Sequence, residues 1–526
     1  MELRPYQNAA ISAINTKWGE FRRLLAVLPT GTGKTIVFAN LTAQKAASGK
    51  RSLILAHREE LLEQARDKLY RSTGLIANLE KAESTIIGNL FADGNLVTVG
   101  SVQTMMRQKR LDGFGRDYFD YIIVDEAHHA LSDSYRAVLD YFDKARVLGV
   151  TATPDRGDKR NLGEYFEDIA YEYPLHQAIS DGYLSRISAE TIPLHIDLSG
   201  CKKVAGDYSA DDLGNALSPY LDSIASEMAK RVSSRKVLVF LPLVATSKTM
   251  TELLNSYGFR ACHIDGNSPE RKEILSDFHA NRYNALCNSM LLTEGFDEPD
   301  VDCIVCLRPT KVRALYAQIV GRGTRISPGK QDCLVLDFLW HTAQHDLIHP
   351  AHLIAKTEEI AEAMTIKIEA AQSCLDLEEV EREVNEDARR QREEALAKQL
   401  AEQRKKKGRT LNPLAFALSI NAEDLCDYEP LMSWEMKPPS EKQVTVLQNY
   451  GFPAEAIPNK GFASKLMDRI FQRMDLHLAT PKQVSLLSKY GYNAGEMTMI
   501  DAKSLIDKIA ANGWRRPVEE TVQYEF

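Results

Sequence analysis

Two stretches of the chain bring together groups that can handle a phosphate chain and a divalent cation. The first is Leu28-Pro29-Thr30-Gly31-Thr32-Gly33-Lys34-Thr35, with an apolar run ending at Leu28 and an amphipathic stretch beginning near Ile36. A strand, a glycine turn and a helix start turn backbone N–H groups toward an anion, with Lys34 in reach of the outer phosphoryl oxygens and the Thr35 hydroxyl placed for Mg2+. The strict P-loop spacing asks for glycine where Leu28 stands, so the first glycine of the pattern is missing. The second stretch, Tyr121-Ile122-Ile123-Val124-Asp125-Glu126-Ala127-His128, is an apolar strand that delivers two adjacent carboxylates. Two carboxylates permit two jobs: Asp125 holds Mg2+ through water, and Glu126 accepts a proton from an attacking water.

A third group lies far along the chain, in Gln318-Ile319-Val320-Gly321-Arg322-Gly323-Thr324-Arg325. A phosphate site between two lobes needs cations from the far side, and Arg322 and Arg325, three residues apart at a helix, can both reach one phosphate.

These groups need strands to carry them. Apolar runs at Leu24–Leu28, 51–55, Leu96–Val99, Tyr121–Val124 and 146–150 alternate with amphipathic stretches. That alternation predicts a parallel sheet covered on both faces. After a polar stretch near 199–218 the pattern restarts, with runs at 237–241, 261–264, 285–288, 303–307 and 333–336. The expected division is residues 1–190 as a first α/β lobe that binds nucleotide, 191–345 as a second, 346–410 as a charged helical linker and 411–526 as a helical accessory domain. The linker reading rests on a stretch from Thr357 to Arg404 that is rich in Glu, Ala, Arg, Lys and Gln and lacks Gly and Pro. It ends in the basic run Arg404 to Arg409.

The tail repeats itself at a spacing near forty residues. Ser440-Glu441-Lys442-Gln443-Val444, with Leu447, Tyr450 and Gly451, matches Thr480-Pro481-Lys482-Gln483-Val484, with Leu487, Tyr490 and Gly491. Each copy opens with a capping box and closes at a glycine suited to the left-handed position after a helix. A second helix follows in each, over 463–470 and 502–509, which predicts tandem helical hairpins.

Composition narrows the class. At 526 residues the chain is long enough for several domains, and a 44% hydrophobic fraction with 26% charge is that of folded globular proteins. No apolar run reaches the roughly 18 residues needed to span a bilayer, the first residues lack the layout of a signal peptide, and a cytoplasmic location without membrane contact is the expectation. Cys303 and Cys306 form the C-x-x-C of the chain, but they fall on an apolar strand where an i,i+3 pair points to opposite faces, so a zinc role is not expected. The net charge of −8 is an average over the surface and is compatible with a local basic track.

With these motifs in order, residues 3 to 340 resemble the superfamily 2 helicases of the DEAH-lettered kind, most closely the branch containing XPB, RadD and UvsW. The resemblance implies two RecA-like parallel-sheet lobes, followed here by the helical linker and the small tandem hairpins. It implies ATP and Mg2+ as cofactors and nucleic acid as partner, with DNA, single-stranded, forked or branched, as the substrate of that branch. An RNA helicase, an ATP-driven clamp and the motor subunit of a restriction complex are the alternatives, and a protein partner for the hairpins is another.

Residue by residue, the resemblance casts Arg4 and Gln7 as the base-recognition segment, and Thr30, Gly31, Thr32, Gly33, Lys34 and Thr35 as the phosphate loop. Gly295 and Asp297 join the nucleotide site from the second lobe, and Gln318 joins the catalytic set with Lys34, Glu126, Arg322 and Arg325. His57, Arg58, Ser101, Gln103, Gly266 and Thr293 fall in segments that grip nucleic acid. His128, Thr151 and Thr153 fall where nucleotide state is coupled to lobe closure.

Overall fold

The computed structural model describes residues 3–56, 59–80, 95–152, 162–204, 207–289, 292, 296–341, 347–355, 357–371, 373–387, 411–420, 422–426, 428, 430, 432 and 434–516. His57, Arg58, Thr153, Thr293, Gly295 and the basic run 404–409 lie outside them. The chain divides into two compact units, residues 1–387 and 388–526.

Among its described residues the first unit holds two seven-stranded sheets and a small two-stranded one. In the first, β1 (Arg23–Val27), β2 (Ser52–Ala56), β3 (Asn78–Glu80), β4 (Val97–Ser101), β5 (Tyr121–Asp125), β6 (Arg146–Thr151) and β7 (Asp168–Glu172) run parallel in the order β3-β4-β2-β5-β6-β1-β7. Five of these strands are the apolar runs read from the sequence. Both faces are covered, which is why β2 and β4 are buried at every position. The helices α1 (Pro5–Lys17), α2 (Lys34–Ala47) and α3 (Glu59–Thr73) belong to this lobe.

A two-stranded ribbon, β9 (Lys203–Val204) with β10 (Asp207–Tyr208), precedes most of the second lobe. The second large sheet comprises β8 (Arg186–Asp197), β11 (Val237–Phe240), β12 (Ala261–Ile264), β13 (Ala285–Asn288), β14 (Cys303–Cys306), β15 (Asp332–His341) and β16 (Leu375–Asp376), ordered β12-β13-β11-β14-β15-β8-β16. All neighbours are parallel except β16, which runs antiparallel to β8.

Two boundaries differ from the expectation. The second sheet begins at Arg186, before 190, because β8 pairs along β15 from Asp332 to His341. Its sequence, Arg-Ile-Ser-Ala-Glu-Thr-Ile-Pro, has no continuous apolar run to announce it. Residues 357–387 are not a solvent-exposed linker. The helix Glu358–Ala371 buries Ile360, Ala361, Met364 and Ile368, and Leu377 and Val380 join the same core.

The second unit is built of helices among its described residues, with an isolated antiparallel bridge between Leu478 and Thr498. The helices Glu441–Asn449 and Lys460–Asp475 form one hairpin, and Pro481–Lys489 and Met499–Ala511 the other. Both capping boxes are present: the Ser440 and Gln443 backbone N–H groups bond across the box at 2.9 and 3.3 Å, and those of Thr480 and Gln483 repeat the distances. Each box glutamine also donates to the first residue of its own second helix, Gln443 to Lys460 O and Gln483 to Met499 O. Gly451 and Gly491 stand at φ +100° and +80°, as the helix-stop reading requires. Leu447, Leu466, Val484, Leu487 and Ile509 share one core, so neither hairpin has to bury a core alone.

Candidate active site

β1 runs into the glycine loop and the loop into α2. Gly31 and Gly33 hold φ +88° and +82°, a region closed to most side chains, and a Cβ on Gly33 would lie 2.8 Å from Gln7 Nε2. The loop is braced from inside and from α1. Thr32 Oγ1 donates to Pro29 O at 2.7 Å, while Gln7 Nε2 and Tyr6 Oη both donate to Thr32 O, at 3.1 and 2.5 Å. Thr32 is fully buried and its N–H also bonds Pro29 O, so it stiffens the loop. Gln7, expected to read a base, is tied to the loop through Thr32 O, and its Oε1 accepts from the Arg4 N–H at 3.0 Å. Arg4 lies over the Tyr183 ring, and Tyr6 stacks on Tyr173 at 4.4 Å. Neither Arg4 nor Gln7 lines the cavity described next.

The cavity, of about 370 Å3, lies between the lobes and is in the range of small-molecule sites. Thr30, Gly31, Gly33, Lys34, Thr35, Asp125 and Glu126 line it from the first lobe, and Phe296, Asp297, Arg322 and Arg325 from the second. The lobes approach closely at glycine: a Cβ on Gly321 would fall 2.6 Å from Thr30 Cβ.

Glu126 follows β5 in the left-handed region at φ +52°, unusual for a side chain other than glycine, which turns its carboxylate into the cavity. Lys34 Nζ is 3.3 Å from Glu126 Oε1, His128 Nδ1 is 3.5 Å from Oε2, and the Glu126 N–H donates to Asp125 Oδ1 at 3.0 Å. The two carboxylates therefore differ. Burial and the adjacent Glu126 push Asp125 up to about 6. Burial also works to raise Glu126, but the Lys34 ammonium, then His128 and Arg322, outweigh it and hold that carboxyl below its ordinary range.

From the second lobe, Arg322 is buried and its Nη1 donates to Phe296 O at 2.8 Å, while Arg325 Nε lies 3.0 Å from Asp297 Oδ1. Asp297 thus meets the cavity as the partner of Arg325. Gln318, expected in the catalytic set, is buried in the helix Arg313–Val320 and does not line the cavity. Of the coupling residues, His128 sits beside Glu126, and the Thr151 carbonyl accepts from the Leu28 N–H at 3.0 Å, which joins the end of β6 to the loop.

Among the expected nucleic-acid residues, Ser101 caps the short helix Val102–Met105, its Oγ accepting from the Thr104 N–H at 3.3 Å, and Gln103 is exposed beside it. Gly266 is exposed after β12 with open space where a Cβ would stand. Sequence reasoning missed Lys68, Arg71 and Ser72 of α3, which also line the cavity. Their signal was only a Lys-x-x-Arg-Ser in an amphipathic helix, with no glycine or strand end to mark it. Cys303 and Cys306 are buried in separate core clusters, on opposite faces of β14. No cluster of three or more His, Cys, Asp or Glu side chains placed to hold a metal ion, and no helix long and apolar enough to cross a membrane, occurs among the described residues.

Two parallel-sheet lobes, with a phosphate loop and acidic strand end on one and an arginine pair on the other, define a RecA-like two-lobe nucleotide fold. Residues 1–156 match the family described as type III restriction enzyme, res subunit, and residues 220–327 match the helicase conserved C-terminal domain. Over this segment the chain resembles superfamily 2 helicases. It is 31% identical over 383 residues to a Saccharomyces cerevisiae protein named as an ATP-dependent helicase, IRC3, covering 68% of this chain and 54% of that one. It is 26% identical to the type I restriction enzyme EcoAI endonuclease subunit of Escherichia coli, covering 64% and 46% respectively. A fragment structure named for an HsdR subunit of a type I restriction enzyme from Vibrio vulnificus YJ016 superposes with a TM-score of 0.51 at 26% identity, covering 64% of each chain. The chain thus spans about half the length of the two curated relatives named.

Proposed function

We propose that the chain is an ATP-driven motor on DNA, which couples nucleic-acid-stimulated ATP hydrolysis to strand separation or to remodelling of branched DNA. The observation that carries this reading is the single cavity in which Lys34, Thr35, Asp125 and Glu126 of one lobe face Arg322 and Arg325 of the other. A site assembled from two bodies works best when they close, so turnover and lobe movement are linked through the same contacts.

In this reading Lys34 and the loop N–H groups hold the triphosphate. Glu126, ionised at neutral pH, takes the proton of the attacking water, and Arg322 and Arg325 meet charge that develops on the transferred phosphoryl group. The oxygen donors of Thr35 and Asp125 suit Mg2+, and burial beside Glu126, which pushes the Asp125 carboxyl up to about 6, is what a bound cation would relieve. Mg2+ there supplies charge neutralisation at the phosphate oxygens. Ser101, Gln103 and Gly266, with His57, Arg58 and Thr293, are assigned to the phosphate backbone of the nucleic acid, and the hairpin unit to an accessory role in binding it or a protein partner.

The experiment is steady-state ATP hydrolysis with single-stranded DNA, duplex DNA, forked DNA and RNA. Stimulation by DNA above RNA supports the proposal, stimulation by RNA alone overturns its DNA part, and no stimulation overturns the motor. A second reading, a translocating subunit of a restriction complex, is favoured by the likeness to EcoAI and to the Vibrio fragment. It predicts displacement of a bound third strand from duplex DNA without separation of the duplex strands.

A further inference from the structure

The loop that carries Arg322 and Arg325 is held by one side chain that no motif assigns. Residues Ser327-Pro328-Gly329-Lys330 form a tight turn, with Gly329 at φ +85° and the Lys330 N–H bonded to Ser327 O at 3.2 Å. The turn aims Lys330 back under the arginine loop. Its ammonium donates to four backbone carbonyls: Gly323 O at 2.5 Å, Arg325 O at 2.7 Å, Pro299 O at 3.1 Å and Val301 O. An ammonium has three N–H groups, so four carbonyls saturate it, with one hydrogen shared.

Those carbonyls belong to two segments. Gly323 and Arg325 are in the arginine loop. Pro299 and Val301 end the segment that begins with Phe296 and Asp297, the partners of Arg322 and Arg325. Ser185, one residue before β8, adds to the same clamp, its N–H donating to Thr324 O at 2.7 Å and its Oγ to Arg325 O at 3.1 Å. The packing leaves no slack, since a Cβ on Gly323 would fall 2.5 Å from Cys333 Sγ. Without Lys330, carbonyl oxygens of the two segments would face one another across the gap with no cation between them.

We propose that Lys330 is a positioning residue for Arg322 and Arg325: its ammonium acts as a built-in cation that clamps the arginine loop to the segment 296–301. The inference rests on the proposed reading of those arginines as transition-state groups. Four carbonyl oxygens around one ammonium also form a nest that a potassium or ammonium ion could fill if the side chain were shortened.

Lys330→Ala in the full chain is expected to lower kcat by about 10²-fold, the scale of a misplaced catalytic group, with KM for ATP within about twofold of wild type. At constant ionic strength, KCl or NH4Cl should raise the variant's melting temperature and restore part of kcat, whereas N-methylglucamine chloride should do neither. The wild type should show no such selectivity. Lys330→Met, which fills the space without a charge, should lose kcat and gain nothing from potassium. A kcat near wild type in Lys330→Ala overturns the proposal, as does a melting temperature equally insensitive to potassium and N-methylglucamine. If Lys330→Ala does not fold, Lys330→Gln carries the test, with kcat expected to fall at preserved KM and an unchanged kcat refuting the clamp. The melting experiment reads the nest without any turnover. Absent hydrolysis in the wild type with a potassium-sensitive melt in the variant would therefore count against the motor reading and for the clamp.

Discussion

Arg325→Ala separates catalysis from stability most cleanly. The guanidinium lies at the cavity with its side chain 16% exposed, and its ionic partner Asp297 is 60% exposed. Loss of the arginine therefore leaves a carboxylate that water can solvate, and the ion pair itself contributes at most about 1 kcal/mol. Adding the lost packing of the side-chain stem, the variant should lose no more than about 2 kcal/mol of folding stability. Catalysis should suffer more. A cation aimed at the transferred phosphoryl group is worth roughly 10³-fold in kcat, or about 4 kcal/mol at the transition state. Lysine should not rescue, because an ammonium lacks the planar fork. The assay is steady-state ATP turnover with saturating single-stranded DNA, with KM for ATP and a thermal melt recorded on the same preparation. A loss of nucleotide affinity with kcat retained would refute the assignment, since it would make Arg325 a ground-state ligand.

Glu126→Gln should keep nucleotide binding, measured by a fluorescent ATP analogue, and lose at least about 10²-fold in kcat, because only the base is neutralised. Lys34→Ala should abolish turnover while circular dichroism still shows the folded chain, since Tyr6, Gln7 and Thr32 brace the loop without it; the thermal melt should fall, because Lys34 is the main group offsetting the buried Glu126 carboxylate. Gly491→Ala, at φ +80° with open backbone strain to absorb, should destabilise the hairpin unit by about 1–2 kcal/mol in chemical denaturation and leave ATP turnover as it was. Truncation after residue 410 should preserve basal hydrolysis, because every cavity-lining residue precedes 330, and should reduce affinity for forked DNA in a fluorescence-anisotropy titration; equal affinity of the full and shortened chains would favour a structural role for the hairpins.

The local chemistry was legible in the chain. A glycine loop and a strand-end Asp-Glu announce themselves because their backbone requirements, φ near +85° or burial on both sheet faces, restrict the residues that fit. The hairpin repeat was legible for the same reason, through its capping boxes and its two left-handed glycines. Strands outside the apolar runs were not. β8 is built of alternating residues and gains its place by pairing with β15, more than 130 residues later, and with β16 beyond it, and the charge-rich stretch from 357 conceals Ile360, Met364 and Ile368 on one buried stripe. The sequence also named groups by motif where tertiary contacts decide function. Thr32 and Gln7 bond within the loop and between it and α1, and Gln318 is buried in its helix away from the cavity, contacts that only the folded chain brings about. Lys68 entered the cavity and Lys330 became the clamp on the arginine loop only through the fold. A long lysine side chain carries no local signature of where its ammonium ends, since that depends on which carbonyls and carboxylates distant segments bring within its reach.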